Sequence, residues 1–321
     1  MASWHVSPRV ATVALVGLLV LDVTLVATAL RSTSTSDIDT SPLSSAAAST
    51  EPASTGATSA TTTAGSPTAP GSPTPPSVAA GAPLLTMLVA LDDQHAWRVS
   101  AGSCSAGGAS LAITVDGGRT WSKGSARLRR LVRVRLEGNQ KAFVIGADAS
   151  CAATIRNTSD AGVTWTAGGS VGLAWYRDPG NPLVVRAPGS ARSQPCGRRA
   201  VLDLAVLTAG SARVLCADGR VRSTTDNGSA WTTVGTVDGA VALAVPTLRQ
   251  SETYVARLGA AGCAGVQILR VRQQVAAACV RASVPRVQGQ IAMSLIAGGG
   301  WLAVGSTTLR STDDLATWTQ S

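Results

Sequence analysis

Beyond about residue 84 the chain runs in short stretches where apolar and polar positions alternate, the period-2 signature of half-buried strands. The stretches come in ordered sets. LLTMLVAL, HAWRVSA and SLAITVD are followed by LVRVRLE, KAFVIGA and AATIRNT, and later by VLDLAVL, ARVLCAD and RVRSTTD. AVALAV, TYVARLG and VQILRV form a fourth set, and QIAMSLI, WLAVGS and TTLRSTD a fifth. Four of these sets end on nearly the same phrase: ITVDGGRTW, IRNTSDAGVTW, STTDNGSAW and STDDLATW, closing on Trp121, Trp165, Trp231 and Trp318 at intervals of 44, 66 and 87 residues. The first interval is one unit, and the last is close to two units with one phrase missing. A period in the forties with several strands per unit predicts an all-β propeller of five or six four-stranded blades over 84–321, each phrase turning the chain into its fourth strand. The segment VGLAWYRDPGNPLVVRAPGSARSQPCGRR at 171–199 reads as a degenerate sixth blade or as an elaborated loop.

The recurring phrase is a turn device. Asp116, Asp160, Asp226 and Asp313 can fold their carboxylates onto backbone N–H groups. Gly118, Gly162 and Gly228 supply the positive φ such a loop needs. The tryptophans then bury a large ring against the blade. This Ser/Thr-x-Asp-x-Gly-x-Thr-Trp pattern resembles the Asp-box, or bacterial neuraminidase repeat, of sialidases and related β-propellers. Thr114, Asp116, Gly118, Thr120 and Trp121 match it in full, as do Thr158, Asp160, Gly162, Thr164 and Trp165. Ala230 replaces Thr in the third copy and Leu315 replaces Gly in the fourth, predicting looser or differently shaped turns. The resemblance covers 84–321 as architecture and implies that the boxes are structural.

Ahead of the repeats, residues 10–30 form an apolar run behind the leader 1–9, which carries Arg9. The run is long enough to cross a bilayer as a helix. Asp22 opposes insertion by about 2.5–3.5 kcal/mol, outweighed by Val and Leu residues contributing roughly 0.3–0.6 kcal/mol each. The segment is read as an uncleaved anchor, with a cleaved signal peptide ending near Ala27-Thr28-Ala29 as the alternative. Either way the rest of the chain lies outside the cell. Residues 31–83, rich in Ser, Thr, Pro and Ala and free of aromatics and cysteine, read as a disordered stalk.

Six cysteines fit export: Cys104, Cys151, Cys196, Cys216, Cys263 and Cys279. Local closure of Cys196 with Cys216 and of Cys263 with Cys279 leaves Cys104 with Cys151, the preferred pairing. With two histidines in the chain and no Cys-x-x-Cys pair, neither a metal nor a cofactor is expected. The bases are 25 Arg against two Lys, amid abundant Ala, Val and Gly, a usage that looks like that of a high-GC bacterium. The formal net charge of +9 favours anionic surroundings, but no recognition motif accompanies it and no nucleic-acid partner is expected.

The resemblance implies one enzymatic reading, a sialidase-like glycoside hydrolase. It would need three arginines on a carboxylate, a Tyr activated by a Glu, and an acidic Asp. The arginine motif is echoed only by Tyr176-Arg177-Asp178-Pro179, after the second box rather than before the first. Glu252 and Tyr254 stand two apart near a strand start, a poor imitation of a dyad drawn from separate blades. His95 beside Asp92 and Asp93 reads as a polar turn. The stronger binding candidate is ARLRRLVRVRLEG, where Arg127, Arg129, Arg133 and Arg135 would share one face of an innermost strand and hold an anionic sugar or phosphate. Trp175, Tyr176 and Trp301 read as inter-blade packing, and no residue is assigned a catalytic role. The expected function is therefore a membrane-anchored, extracellular, non-catalytic binding or scaffold module. Its partners would be the membrane, through 10–30, and an extracellular protein or glycan. Mass spectrometry of the native protein tests the anchor: it predicts peptides from within 10–30, whereas a mature terminus at Leu30 would establish cleavage.

Overall fold

The computed structural model describes residues 85–189, 191–285 and 287–321, all within the compact unit Ala69–Ser321. The predicted leader, anchor and stalk lie outside the described residues. Among the described residues no helix is long and apolar enough to cross a membrane.

Six antiparallel sheets, each of strands consecutive in sequence, make six blades. Blade I comprises β1 (Thr86–Ala90), β2 (Ala96–Ser100), β3 (Ser110–Thr114) and β4 (Ser122–Gly124). Blade II comprises β5 (Arg130–Leu136), β6 (Ala142–Ala147), β7 (Ala153–Thr158) and β8 (Thr166–Ala167). Blade III has three strands, β9 (Tyr176–Arg177), β10 (Val185–Arg186) and β11 (Arg192–Ser193). Blade IV is β12 (Val201–Val206), β13 (Ala212–Cys216), β14 (Arg220–Thr224) and β15 (Thr232–Thr236). Blade V is β16 (Ala240–Ala244), β17 (Tyr254–Arg257), β18 (Val266–Arg270) and β19 (Val275–Val280). Blade VI is β20 (Ile291–Ile296), β21 (Gly299–Val304), β22 (Thr307–Ser311) and β23 (Thr319–Gln320). The segment at 171–199 is thus a sixth, reduced blade, and blades III and V are the two without a tryptophan phrase.

The first strands β1, β5, β9, β12, β16 and β20 neighbour one another in a ring that closes from β20 to β1. Burial follows that order. The middle strands β13 and β21 are fully buried, whereas β4, β8 and β23 are short and mostly exposed.

Because every blade is built from consecutive strands, the blades are joined chiefly by side chains. Three tryptophan pairs cross seams edge to face: Trp97 with Trp165, Trp121 with Trp301, and Trp175 with Trp231, at centroid distances of 6.0–6.2 Å. In each, the phrase tryptophan of one blade meets a tryptophan of the preceding one, blade VI preceding blade I. The expectation that these rings bury against their own blade is corrected: Trp121, Trp165 and Trp231 are half-buried and lie on the neighbour. Their partners Trp97, Trp175 and Trp301 are at most 3% exposed.

Arginines close the seams a second way, by donating to backbone carbonyls of the adjacent blade. Arg130 and Arg133 of blade II reach Pro179 O at 2.7 Å and Trp175 O at 2.5 Å in blade III. Arg177 reaches Leu202 O in blade IV at 2.7 Å, and Arg213 of blade IV reaches Glu252 O in blade V at 2.7 Å. Arg129 of blade II bonds Ser105 O in blade I. At the closing seam Arg310 reaches Asp93 O at 2.6 Å, and Arg98 holds Ser306 O at 2.5 Å and Gly305 O. A guanidinium bonded to a carbonyl keeps its charge while satisfying an acceptor that would otherwise lie unpaired in a seam.

Three disulfides complete the frame, with the expected pairing. Cys104–Cys151 joins blade I to blade II, Cys196–Cys216 joins blade III to blade IV, and Cys263–Cys279 lies within blade V. Such bridges persist in oxidising, extracytoplasmic surroundings. By loop-closure entropy, the 47-residue separation of the first should contribute about 4 kcal/mol and the 16-residue separation of the third about 3 kcal/mol. Chemical denaturation of the Cys104→Ser/Cys151→Ser and Cys263→Ser/Cys279→Ser variants should therefore show the larger loss for the first. Midpoints unchanged by either would contradict this.

Candidate functional site

The inner strands surround a central cavity of about 670 Å³. Its wall is mostly aliphatic, and among its few charged side chains are Arg133, Arg135, Arg177 and Asp203. Arg133 projects from β5, fixed by Trp175 O and by the Phe143 ring, whose centroid is 5.1 Å from its guanidinium carbon. Burial, and then the like charge of Arg135, hold the Arg133 pKa down to about 10, so it remains a cation at neutral pH. Arg135 is exposed and carries no hydrogen bond among the described residues. Arg177 is only 7% exposed and is tied to Leu202 O.

Asp203 sits at a bulge in β12, where its carboxylate accepts Leu204 N–H and Leu243 N–H, both at 2.8 Å. Burial raises its pKa, against the opposing charge of Arg177 and the two N–H bonds. The cavity therefore holds three guanidinium groups and one partly compensated carboxylate, an arrangement that favours an anion.

The four-arginine face is corrected. Pairing of β5 with β6 shifts register between Leu131 and Arg133, and this bulge breaks the alternation on which a shared face depends. Arg127 lies in an exposed turn at φ 56°, and Arg129 is drawn to Ser105 O. Neither lines the cavity, so only Arg133 and Arg135 are brought together there. Sequence reasoning missed Asp203, although a lone acid in the apolar run VLDLAV was a usable signal. Arg177 was read only as an echo of a misplaced motif.

The repeated turns are side-chain clamps. In blade II, Thr158 Oγ1 donates to Asp160 at 2.7 Å and accepts Gly162 N–H at 2.9 Å. Asp160 also accepts Thr164 N–H at 2.9 Å and Thr164 Oγ1 at 2.5 Å. Blade I repeats this with Thr114, Asp116, Gly118 and Thr120. Gly162 stands at φ 85°, where a Cβ would meet Ile113 Cδ1 of blade I at 2.8 Å, so the glycine serves both the turn and the seam.

The turns at Ala230 and Leu315 keep the backbone path but make fewer bonds. Among the described residues the third lacks the hydroxyl donor, and the fourth has no counterpart of the N–H bond that Gly118, Gly162 and Gly228 make to the Thr hydroxyl. Ala230 N–H still donates to Asp226, with only the hydroxyl lost. Leu315 adopts φ 73° and buries its side chain in the core shared by blades V and VI, while Asp313 keeps Thr317 N–H and Oγ1.

The remaining candidates are local. His95 Nδ1 meets Asp92 Oδ1 at 2.9 Å within the polar turn between β1 and β2. Tyr254 Oη does donate to Glu252 Oε2, at 2.5 Å, but in the seam between blades V and VI and outside the lining of the central cavity. Among the described residues no group of three or more His, Cys, Asp or Glu side chains is placed to hold a metal.

No family model matches the chain, and no curated protein matches it. Solved structures similar to it are propellers of varied kinds. A GH74 enzyme of Niastella koreensis is 12% identical with a TM-score of 0.40, over 73% of this chain and 46% of its own. YCF48 from Cyanidioschyzon merolae is 15% identical with a TM-score of 0.38, over 75% and 87%. A mutant of the Aleuria aurantia lectin, in complex with alpha-methyl-L-fucoside, is 11% identical with a TM-score of 0.46, over 74% and 94%. The chain thus spans less than half the length of the GH74 enzyme. At these identities and scores the likenesses carry nothing about ligand or activity.

The clamp has a titration signature. The side-chain hydroxyl and then the N–H of Thr164 hold the Asp160 pKa down to about 2 from 3.8, and Thr120 and Thr317 do the same for Asp116 and Asp313. A depressed carboxylate stabilises the fold fully above its unfolded pKa and ceases to do so as pH falls through the folded one. The melting temperature should therefore drop between about pH 4 and pH 2, and Asp160→Ala should lower it at pH 7 by about 2–6 °C while weakening the acid dependence. An unchanged melt at pH 7 would refute the clamp.

Proposed function

We propose that the chain is an Asp-box propeller displayed outside the cell, with 10–30 as its anchor and 31–83 as its stalk. Its central cavity is a non-catalytic site for an anionic group on an extracellular protein or glycan. The Asp-box assignment is supported by four turns in which the N–H four residues beyond the Asp donates to its carboxylate, in phase on blades I, II, IV and VI. Display outside the cell is supported by three disulfides and by the sequence of 10–30. The observation that carries the binding reading is the set of three guanidinium groups facing one carboxylate in an otherwise aliphatic cavity. Two of the three are held by backbone carbonyls, which orient the side chain without cancelling its charge.

A sialidase-like hydrolase is the second reading, favoured by the Tyr254–Glu252 hydrogen bond. It needs three arginines on a carboxylate beside that tyrosine. Arg249 and Arg270 do line its cavity, but Arg249 is shared between Glu252 and Asp314 and Arg270 bonds the tyrosine oxygen itself. Arg133, Arg135 and Arg177 lie in the other cavity.

A glycan and envelope-polymer array run with the full chain separates the two. The binding reading predicts retention of anionic polymers that weakens with salt, falls about tenfold or more in Arg133→Ala/Arg135→Ala, and occurs without turnover of fluorogenic sialosides. Arg135→Ala alone, which removes no seam contact, should lose part of the binding. Hydrolysis abolished by Tyr254→Phe would overturn this reading in favour of the second.

A further inference from the structure

Five of the six seams are closed by an arginine bonded to a carbonyl of the adjacent blade; the seam between blades V and VI has no such bond among the described residues. Apolar packing around Tyr254, Leu295, Leu302 and Leu315 holds it instead. At one end the seam opens into a second cavity, of about 360 Å³, lined by Arg249, Tyr254, Arg270, Leu295 and Ile296 among others. We infer that this seam cavity is a binding site for a small monocarboxylic acid with an apolar body, its carboxylate on Arg270 and its body against Leu295, Ile296 and Ala277.

Arg270 ends β18, opposite Tyr254 in the register of β17 and β18. Its Nε donates to Tyr254 Oη at 2.9 Å, and its guanidinium carbon lies 5.6 Å from the tyrosine ring centroid. Tyr254 Oη in turn donates to Glu252, so both of its hydrogen-bonding roles are engaged and the ring, 2% exposed, is fixed. Burial and the Glu252 contact raise the Tyr254 pKa, which keeps the phenol neutral beside Arg270.

The two terminal nitrogens of Arg270 then carry no hydrogen bond among the described residues, and no carboxylate approaches them within ion-pairing distance. Arg249 differs. Its charge is shared between Glu252 at 3.9 Å and Asp314 at 3.5 Å, the latter contact spanning the mouth from blade V to blade VI. One cation is left unmatched, presenting the planar fork that suits a carboxylate. A dianion would leave its second charge unmatched, near Glu252 and Asp314. Ala276 and Ala277 of β19 and Leu295 and Ile296 of β20 give an apolar wall to a cavity whose surface is otherwise mostly polar, which suits a small molecule with a polar head and an apolar body.

Calorimetric titration of the full chain with phenylacetate and with its neutral isostere phenylacetamide tests this. Phenylacetate should bind saturably and at least about tenfold more tightly than the amide. Arg270→Gln should remove that difference, Arg270→Lys should retain part of it, and Arg133→Ala/Arg135→Ala should leave it intact, separating this cavity from the central one. If Arg270→Gln fails to fold, the acid-to-amide ratio in the wild type and in Arg270→Lys decides. Equal binding of acid and amide, binding of neither, displacement by an equal concentration of inorganic phosphate, or loss of binding in the Arg133/Arg135 variant would each overturn the inference.

Discussion

A propeller whose blades are all made of consecutive strands has no strand shared between its last blade and its first. Apart from the Leu85 and Thr86 N–H groups, which donate to Gly289 O, the ring is closed by side chains, and the other features depend on that closure. Here blade VI meets blade I through Trp301 and Trp121, through Arg310 on Asp93 O and through Arg98 on the Gly305 and Ser306 carbonyls. The indole N–H of Trp301 reaches Asp92 O at 2.9 Å, so this fully buried ring is satisfied as well as packed. Disulfides bridge two of the other seams, but none bridges this one.

The composition acquires a physical meaning from these seams. Arginine outnumbers lysine 25 to two, and many of the guanidinium groups end on backbone carbonyls of a neighbouring blade. A planar fork on a long apolar stem can lie along a seam and still reach an acceptor, which a compact, strongly hydrated ammonium does less well. Much of the positive charge is thus a consequence of how the ring is held together. Of the guanidinium groups not spent on a seam, some line a cavity, in the centre and at Arg270 in the seam between blades V and VI, while others such as Arg192, Arg198, Arg199, Arg272 and Arg281 lie exposed on the surface.

What the chain discloses by itself follows the same division. Strands with an alternating pattern were legible, and so were the repeated aspartate turns, because each is specified by residues within a few positions of one another. Blade III was ambiguous because β9, β10 and β11 are two residues long and lie among prolines and glycines. They are fixed by contacts such as Trp175 on Trp231 and Arg177 on Leu202 O, which no local pattern encodes. β19 was missed because VAAACV carries neither alternation nor a box. The four-arginine face failed because β5 begins only at Arg130, leaving Arg127 and Arg129 ahead of the strand, and because the bulge at Val132 shifts the alternation within it. Leu315 shows the reverse: its unfavourable φ is tolerated because the side chain gains a place in the core between blades V and VI.

Closure of the ring by cross-seam side chains is tested most directly by a double-mutant cycle on Trp121 and Trp301, measured by equilibrium denaturation. Trp301→Ala alone should be strongly destabilising, in the range of about 3–5 kcal/mol for a buried aromatic. Once Trp301 is gone, Trp121→Ala should cost less than it does in the intact protein, giving a coupling of about 0.5–1.5 kcal/mol for an edge-to-face pair. Strictly additive losses would mean that the two rings do not act across the seam, and that the propeller is closed by something other than the contacts described here.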